Sequence, residues 1–492
     1  MMMNISMKMR ACIMHAAFLC TALAPRAYAQ ESVKPSLVPV AEVRKSADRA
    51  TSVNVDMQIG YGQYNNVLSG VSLSNEQEDA VYLVSASLKR SDDFGYNNTV
   101  YRNSSYSEDR IGYTGNFNMS ESWRALVDAD VYNDSRGMIN NSVFSREEKN
   151  EAKISFKNVY KLSNQFEGFF SVGGGEYTHR LRPMDPSDRV EGRVAFSSGS
   201  VGGEYIWSAS NRIRGKSEVG YYNYRGDAPD DAYSSTEIVD DFNLTKNVGL
   251  SLGLAADFNR DSSPLVFPNL VMTLKGFEHA SFSISYRYDL IPFQPEVFYL
   301  EQKYILPELA LPPSRVHHGE VKCELRFNDS VSIKASGVGE RGDHFYNYRT
   351  APGDVLETFT MPVTHFMGKL DLGFVLFDRL LEMLLGYEYN RYLASEHVTY
   401  RPMHKISGSI AYTGKLWRFE WGNKLMSVVY TDPETKERLN GTVIGTLALQ
   451  RKMMDSFFAF MRAENIYNYR YNLREGYPEP GITVLFGTRI LI

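Results

Sequence analysis

The chain has 492 residues, 53 Lys and Arg against 58 Asp and Glu, and a formal charge of −5. This mildly acidic balance excludes nucleic acid as a partner and implies no particular ligand. Mean hydropathy is −0.33, and beyond the N-terminus no apolar run of about 18 residues exists, so no transmembrane helix is read from the sequence.

Lys8 and Arg10 precede an apolar core at residues 11–24, too short to span a bilayer, and Ala27-Tyr28-Ala29 follows as a small-x-small cleavage site. Residues 1–29 therefore read as a signal peptide, cleaved near Ala29, with Gln30 as the first mature residue. Cys20 does not suggest a lipoprotein, because Phe18 and Leu19 stand where small residues are needed. Cleavage removes Cys12 and Cys20, leaving Cys323 alone and no intrachain disulfide. It also removes Lys8, Arg10 and Arg26: 53 less three leaves 50 positive against 58 negative groups, or −8. Residues 30–52, with Pro35 and Pro39, read as a short periplasmic segment.

From Val53 to Ile492 the pattern is strand, short turn, strand, longer loop. Trp123, Ala125, Val127, Ala129 and Val131 alternate with Arg124, Asp128 and Asp130. Leu250, Leu252, Leu254, Ala256 and Phe258 oppose Gly249, Ser251, Gly253 and Asp257. Phe282, Ile284, Tyr286 and Tyr288 oppose three serines, Arg287 and Asp289. Leu381, Met383, Leu385, Tyr387 and Tyr389 oppose Glu382, Gly386 and Glu388, and Trp417, Phe419 and Trp421 oppose Arg418, Glu420 and Lys424. A period of two with one apolar face is what a membrane barrel strand needs, and the alternation hides the lipid-facing half from hydropathy averaging. No helical i, i+3, i+4 stripe is sustained anywhere.

Tight turns fall at residues 120–122, 163–165, 245–247, 328–330, 378–379, 413–415 and 454–455. Long loops are expected at residues 91–105, 134–150, 290–314, 342–354 and 468–480. Short periplasmic turns and long outer loops mark outer-membrane barrels, and a soluble sandwich has no reason for that asymmetry. The fold class is thus all-β, a transmembrane antiparallel β-barrel over residues 53–492. Counting gives about 22 strands of about 9–11 residues, with 16–18 longer strands as the fallback and the pairing around residues 190–207 open.

The last strand ends the chain. Ile482, Val484, Phe486, Ile490 and Ile492 share one face; Thr483, Gly487 and Arg489 share the other, with Leu485 and Leu491 as apolar exceptions. Phe486, Ile490 and Ile492 are the residues expected to serve the outer-membrane assembly machinery, on the side that meets lipid. The polar faces nominate Arg124, Asp128, Asp130, Arg287, Asp289, Glu382, Glu388, Arg418 and Glu420 as lumen-facing, where they would set ion and solute selectivity. The alternative for each is a hydrated, mutually paired wall.

Chemistry is poorly represented. His317-His318 is the one adjacent histidine pair, and neighbours on a strand point to opposite faces. No HExxH, CxxC or phosphate loop appears, and Gly173-Gly174-Gly175 sits in a strand without a following helix. No catalytic, cofactor-binding or metal residue is nominated.

Several stretches resemble the barrel of TonB-dependent receptors. Residues 463–471, Ala-Glu-Asn-Ile-Tyr-Asn-Tyr-Arg-Tyr, are similar to that family's penultimate strand, and residues 476–483, Gly-Tyr-Pro-Glu-Pro-Gly-Ile-Thr, to its proline-glycine lead-in to the last one. Residues 59–64 and 80–87 look like its first strands, residues 401–406 like a late-strand lead-in, and Leu306-Pro307-Glu308 faintly like a late motif with its spacer missing. The resemblance implies an outer-membrane solute transporter. It also exposes a departure: the family's N-terminal plug exceeds a hundred residues, and residues 30–52 number 23, so the chain is expected to lack that plug. Residues 36–40 resemble a coupling box no more than any short apolar tail would. The terminal Ile492 stands where an aromatic is usual. A lumen of about 22 strands must be filled by inward loops, filled by a separate plug or periplasmic partner, or left open as a channel. The alternative function is a non-transporting surface or scaffold barrel that binds a partner through its loops or lumen.

Overall fold

The computed structural model describes residues 53–492 except 78, 97–98, 140, 186–189, 209–210, 226–229, 261, 278, 308–310 and 329. The signal peptide, its cleavage site and the segment 30–52 lie outside the described residues.

The alternating stretches pair in chain order into one 22-stranded antiparallel sheet. They are β1 Val53–Gly62, β2 Val67–Glu76, β3 Ala80–Ser91, β4 Tyr106–Ser120, β5 Trp123–Gly137, β6 Phe144–Lys161, β7 Phe166–Pro183, β8 Val190–Ser208, β9 Asn211–Arg225, β10 Asp231–Thr245 and β11 Val248–Asn259. The second half comprises β12 Ser262–Phe277, β13 Ala280–Ile291, β14 Ser314–Asn328, β15 Val331–Ala351, β16 Val355–Leu376, β17 Leu381–Leu393, β18 His404–Thr413, β19 Trp417–Met426, β20 Thr442–Met454, β21 Phe457–Glu464 and β22 Thr483–Leu491. The sheet closes because β22 pairs with β1, from Asp56 opposite Leu491 to Gly62 opposite Leu485. A closed sheet leaves no row of unpaired edge groups, so an apolar last strand is stable where it ends. At the seam Gly487 faces Gly60, and a Cβ on Gly487 would sit 2.2 Å from the Ile59 carbonyl oxygen. Glycine is what lets the first and last strands approach there.

Strand length departs from the expected 9–11 residues. The seam is short, with 8 residues in β21 and 9 in β22, whereas β15 and β16 have 21 and 22. The loops expected at 134–150 and 342–354 shrink to residues 138–143 and 352–354 for the same reason: their polar flanks keep pairing past the length a bilayer needs. Residues 190–207 pair with β7 on one side and β9 on the other.

Connections alternate between short turns at one end and longer loops at the other. Near the short turns, Trp123 stacks on Tyr160 and Tyr160 on Phe170, while Trp207, Leu162 and Phe377 are exposed. The three buried apolar clusters gather at the long-loop end instead. Among the described residues the one α-helix, α1 Pro295–Glu301, lies in the longest of those loops. It was expected as loop, since seven residues are too few to show a helical period. Pro295 at its start presets the helical φ. Among the described residues no helix is long and apolar enough to cross a membrane.

Candidate functional site

The segment that carries α1 crosses the barrel. Phe293, Phe298, Tyr299 and Ile305 pack in one cluster with Tyr177 of β7, Val194 of β8, Tyr222 and Tyr224 of β9, Tyr346 and Tyr348 of β15, Leu356 of β16, and Tyr400. β7 and β15 stand eight strands apart one way around the ring and fourteen the other. A helix that touches both walls of a closed barrel lies within it, so residues 292–306 span the mouth at the long-loop end.

Aromatic packing supplies much of the contact. Tyr299 stacks over Tyr177 at 6.3 Å with a 4° interplanar angle and meets Phe293 edge-on at 6.0 Å. Tyr304 stacks on Tyr477 at 3.8 Å and 11°. Buried aromatic pairs each add about 0.5–1.5 kcal/mol beyond their area.

Charged groups hold the other side of the segment. Glu147 and Lys149, each 1% exposed, and His179, fully buried, form one cluster on β6 and β7. The Glu147 carboxylate lies 3.2 Å from the Lys149 ammonium and 3.0 Å from His179 Nε2. It also accepts the backbone N–H of Tyr304 at 2.8 Å and of Ile305 at 3.4 Å. Lys149 donates to the Gln302 carbonyl oxygen, and Arg474 donates to Gln302 Oε1 while lying over the Tyr348 and Tyr400 rings. Buried charges survive when paired and hydrogen-bonded, and here the loop backbone supplies part of that pairing. On the far wall Leu356 forms a parallel bridge with Ile305: its N–H donates to the Tyr304 carbonyl at 2.9 Å, and its carbonyl accepts from Leu306 at 2.7 Å.

On α1, Glu296 is buried under Tyr222, whose hydroxyl donates to it at 3.4 Å. Burial pushes its carboxyl up to about 7. Burial likewise raises the Tyr304 phenol and lowers the Arg474 guanidinium.

The nine residues nominated from sequence are not brought together here. Ladder partners in an antiparallel sheet share a face, and the register carries Arg124, Asp128 and Asp130 of β5 onto the face of Lys149. Asp130 takes a bidentate contact from Arg110 at 2.8 and 3.0 Å. Arg287 and Asp289 pair with each other at 2.8 Å. Glu388 accepts from Lys405 at 2.8 Å and Asn390 at 2.7 Å, on the same strand as Glu382. Arg418 and Glu420 stand 4.0 Å apart. Phe486 and Ile492 are 60% and 71% exposed on the opposite face, with Ile490 half-buried between them.

Sequence reasoning missed Glu147 and Lys149 because residues 134–150 looked like loop. A signal was present: Glu147-Lys149-Glu151-Lys153 alternates charge at a period of two, as one face of a strand does. Among the described residues no group of His, Cys, Asp and Glu could hold a metal ion.

No family model matches the sequence, and no curated protein matches it. Solved structures do. The FrpB iron transporter from Neisseria meningitidis (F3-3 variant) aligns with 90% of this chain and 82% of its own at TM-score 0.72 and 11% identity. The copper transporter OprC aligns with 90% and 80% at TM-score 0.69 and 11% identity. The siderophore receptor PirA from Acinetobacter baumannii aligns with 91% and 81% at TM-score 0.69 and 9% identity. The fold is therefore the closed 22-strand barrel of TonB-dependent receptors.

Proposed function

We propose that this chain is an outer-membrane transport barrel whose outer mouth is closed by its own loop. Signal-peptide removal near Ala29 would deliver it to that membrane, with residues 30–52 on the periplasmic side. The apolar outer face and the aromatics beside the short turns support a lipid-embedded wall. The observation that carries the closure is the Glu147–Lys149 cluster gripping the backbone of residues 302–305 across the lumen.

In this reading Arg124, Asp128, Asp130, Arg287, Asp289, Glu382, Glu388, Arg418 and Glu420 line the aqueous path. Arg287 pairs with Asp289 and Arg418 with Glu420, while Asp130 and Glu388 pair with Arg110 and Lys405; such pairing makes a screened wall of mixed sign, selective for size more than for charge. Names of the structural relatives, an iron transporter, a copper transporter and a siderophore receptor, favour solute uptake over catalysis. A periplasmic or plug-like partner would act from the short-turn end.

Planar-bilayer recording tests this. The purified wild-type chain is expected to be nearly silent. A variant with residues 293–306 replaced by Gly and Ser at equal length is expected to show large steady conductance. An equally silent variant that is still folded overturns the self-closure.

A further inference from the structure

The segment under the mouth is held as a peptide, not as a set of side chains. Residues 302–306 bend once, at Tyr304 with φ +58°, and every polar contact described for the backbone of 302, 304, 305 and 306 goes to a fixed group on the wall. Glu147 takes the N–H groups of Tyr304 and Ile305, and Lys149 gives to the Gln302 carbonyl. Leu356 gives to the Tyr304 carbonyl and takes the N–H of Leu306. Two side chains fill pockets: Ile305, fully buried, and Tyr304, flat against Tyr477. The Leu356 rung is β-type, while Glu147 takes two successive N–H groups, as a bend presents them; main-chain bonds of this kind give affinity and the two filled pockets give selectivity. A loop that served only as a strut would not need two fully buried charges aimed at main-chain atoms, which are costly to desolvate.

The fit is also incomplete. The Tyr177 hydroxyl and His179 Nδ1, on rings that pack against Tyr299, are buried on the wall without a hydrogen-bond partner. Buried polar groups usually find partners, so unsatisfied donors and acceptors beside a bound peptide mark room for polar groups the tethered segment lacks.

We propose that this slot is a binding site for an oligopeptide that enters from outside and bends at its aromatic residue, and that residues 302–306 occupy it as a tethered stand-in. The proposal rests on the transport reading above and names its substrate class. Recognition runs through the backbone, so it tolerates sequence except at two positions: an aromatic residue to stack on Tyr477, then an aliphatic one to fill the pocket of Ile305. An arriving peptide displaces the stand-in by offering the same donors and acceptors to Glu147, Lys149 and Leu356. The mouth then opens because the loop has lost its grip.

The test uses the full chain with Tyr304→Ala and Ile305→Ala, which removes the stacked ring and the buried side chain, loosens the tether and leaves the wall intact. The probe is a synthetic heptapeptide with the sequence of residues 300–306, titrated by calorimetry into the detergent-solubilised variant. A second heptapeptide is N-methylated at the nitrogens of its Tyr and Ile. The unmodified peptide is expected to bind the loosened variant and not the wild type. N-methylation, or Glu147→Gln in the loosened background, is expected to weaken binding at least about tenfold, the scale of hydrogen bonds to a charged acceptor. Equal binding of the N-methylated peptide overturns main-chain recognition. No binding to a loosened variant that keeps heat-modifiable migration on a gel overturns the peptide site. Conductance of the Gly/Ser variant is read separately, so an open pore without peptide binding sinks this inference and leaves the transport reading standing.

Discussion

Arg489 of the last strand holds Asp56 of the first through two parallel hydrogen bonds, of 2.8 and 2.6 Å. The pair spans the seam and joins residues 433 positions apart in sequence. Arg489 is buried and Asp56 partly so, which puts the contact above the near-zero value of an exposed ion pair. Arg489→Ala is expected to cost about 2 kcal/mol, the upper range of a charge-assisted bond. The measurement is the temperature at which the folded band on a heat-modifiability gel is lost. An unchanged temperature would mean that the backbone ladder alone closes the ring.

Glu147→Gln leaves Lys149 fully buried beside a neutral amide. Breaking a buried pair from one side costs about 3–5 kcal/mol. The wall is held by its ladders, so the loss is expected in the docking of residues 292–306. Limited proteolysis should cut within that segment in the variant and not in the wild type, with the rest of the barrel resistant in both. Cleavage spread over several loops would point to general unfolding instead.

Docking of α1 should weaken as pH rises. Glu296 has its carboxyl raised from 4.5 to about 7 in the docked state. The docked form thus binds more protons than the undocked form between those values. Docking is strongest below about 4.5, declines through the window up to about 7, and is flat above it, with a total change of about 3 kcal/mol at 1.36 kcal/mol per unit. Glu296→Gln should remove the pH dependence and hold docking at its acid-side strength. The readout is single-channel open probability between pH 5 and 8; a flat wild-type profile would contradict the assignment.

Phe486→Lys places a charge on the exposed face of β22. If that face meets lipid, the cost is about 2–4 kcal/mol near the bilayer centre, and Thr488→Lys, on the same face nearer the short-turn end, costs less. Folding yield into vesicles, followed by gel shift, checks it. Equal yields for Phe486→Lys and wild type would place the face in water.

Most of the wall was legible in the sequence because its signal is local. Trp123 to Val131 and Leu381 to Tyr389 alternate with one exception each, Leu126 and Leu384, and each turn between such runs sets the next reversal. The mouth was not legible, for two physical reasons. Strands β6, β15 and β16 continue past the length a bilayer needs, where charged and apolar residues mix on both faces and alternation of hydrophobicity vanishes. Glu147 and Lys149 fall there, and they read as solvated loop until a neighbour in the sheet is known. The second reason is distance along the chain: Lys149 meets Gln302 across 153 residues and Arg474 meets it across 172. No periodicity encodes such a meeting. The nominated charges, by contrast, were visible because they sit opposite apolar residues, and that visibility says where they face, not what they do.

Those same separations set an order of events. The segment at residues 292–306 is gripped by wall residues made before it and by a loop made after twenty-one of the 22 strands. Its last contacts, Arg474, Tyr477 and Glu479, do not exist until the chain is nearly complete. Closing loops of such length costs about 5 kcal/mol of chain entropy, roughly (3/2)RT ln n, which must be met before the contact rewards it. Each molecule therefore passes through an open-mouthed stage while it assembles and shuts itself only at the end.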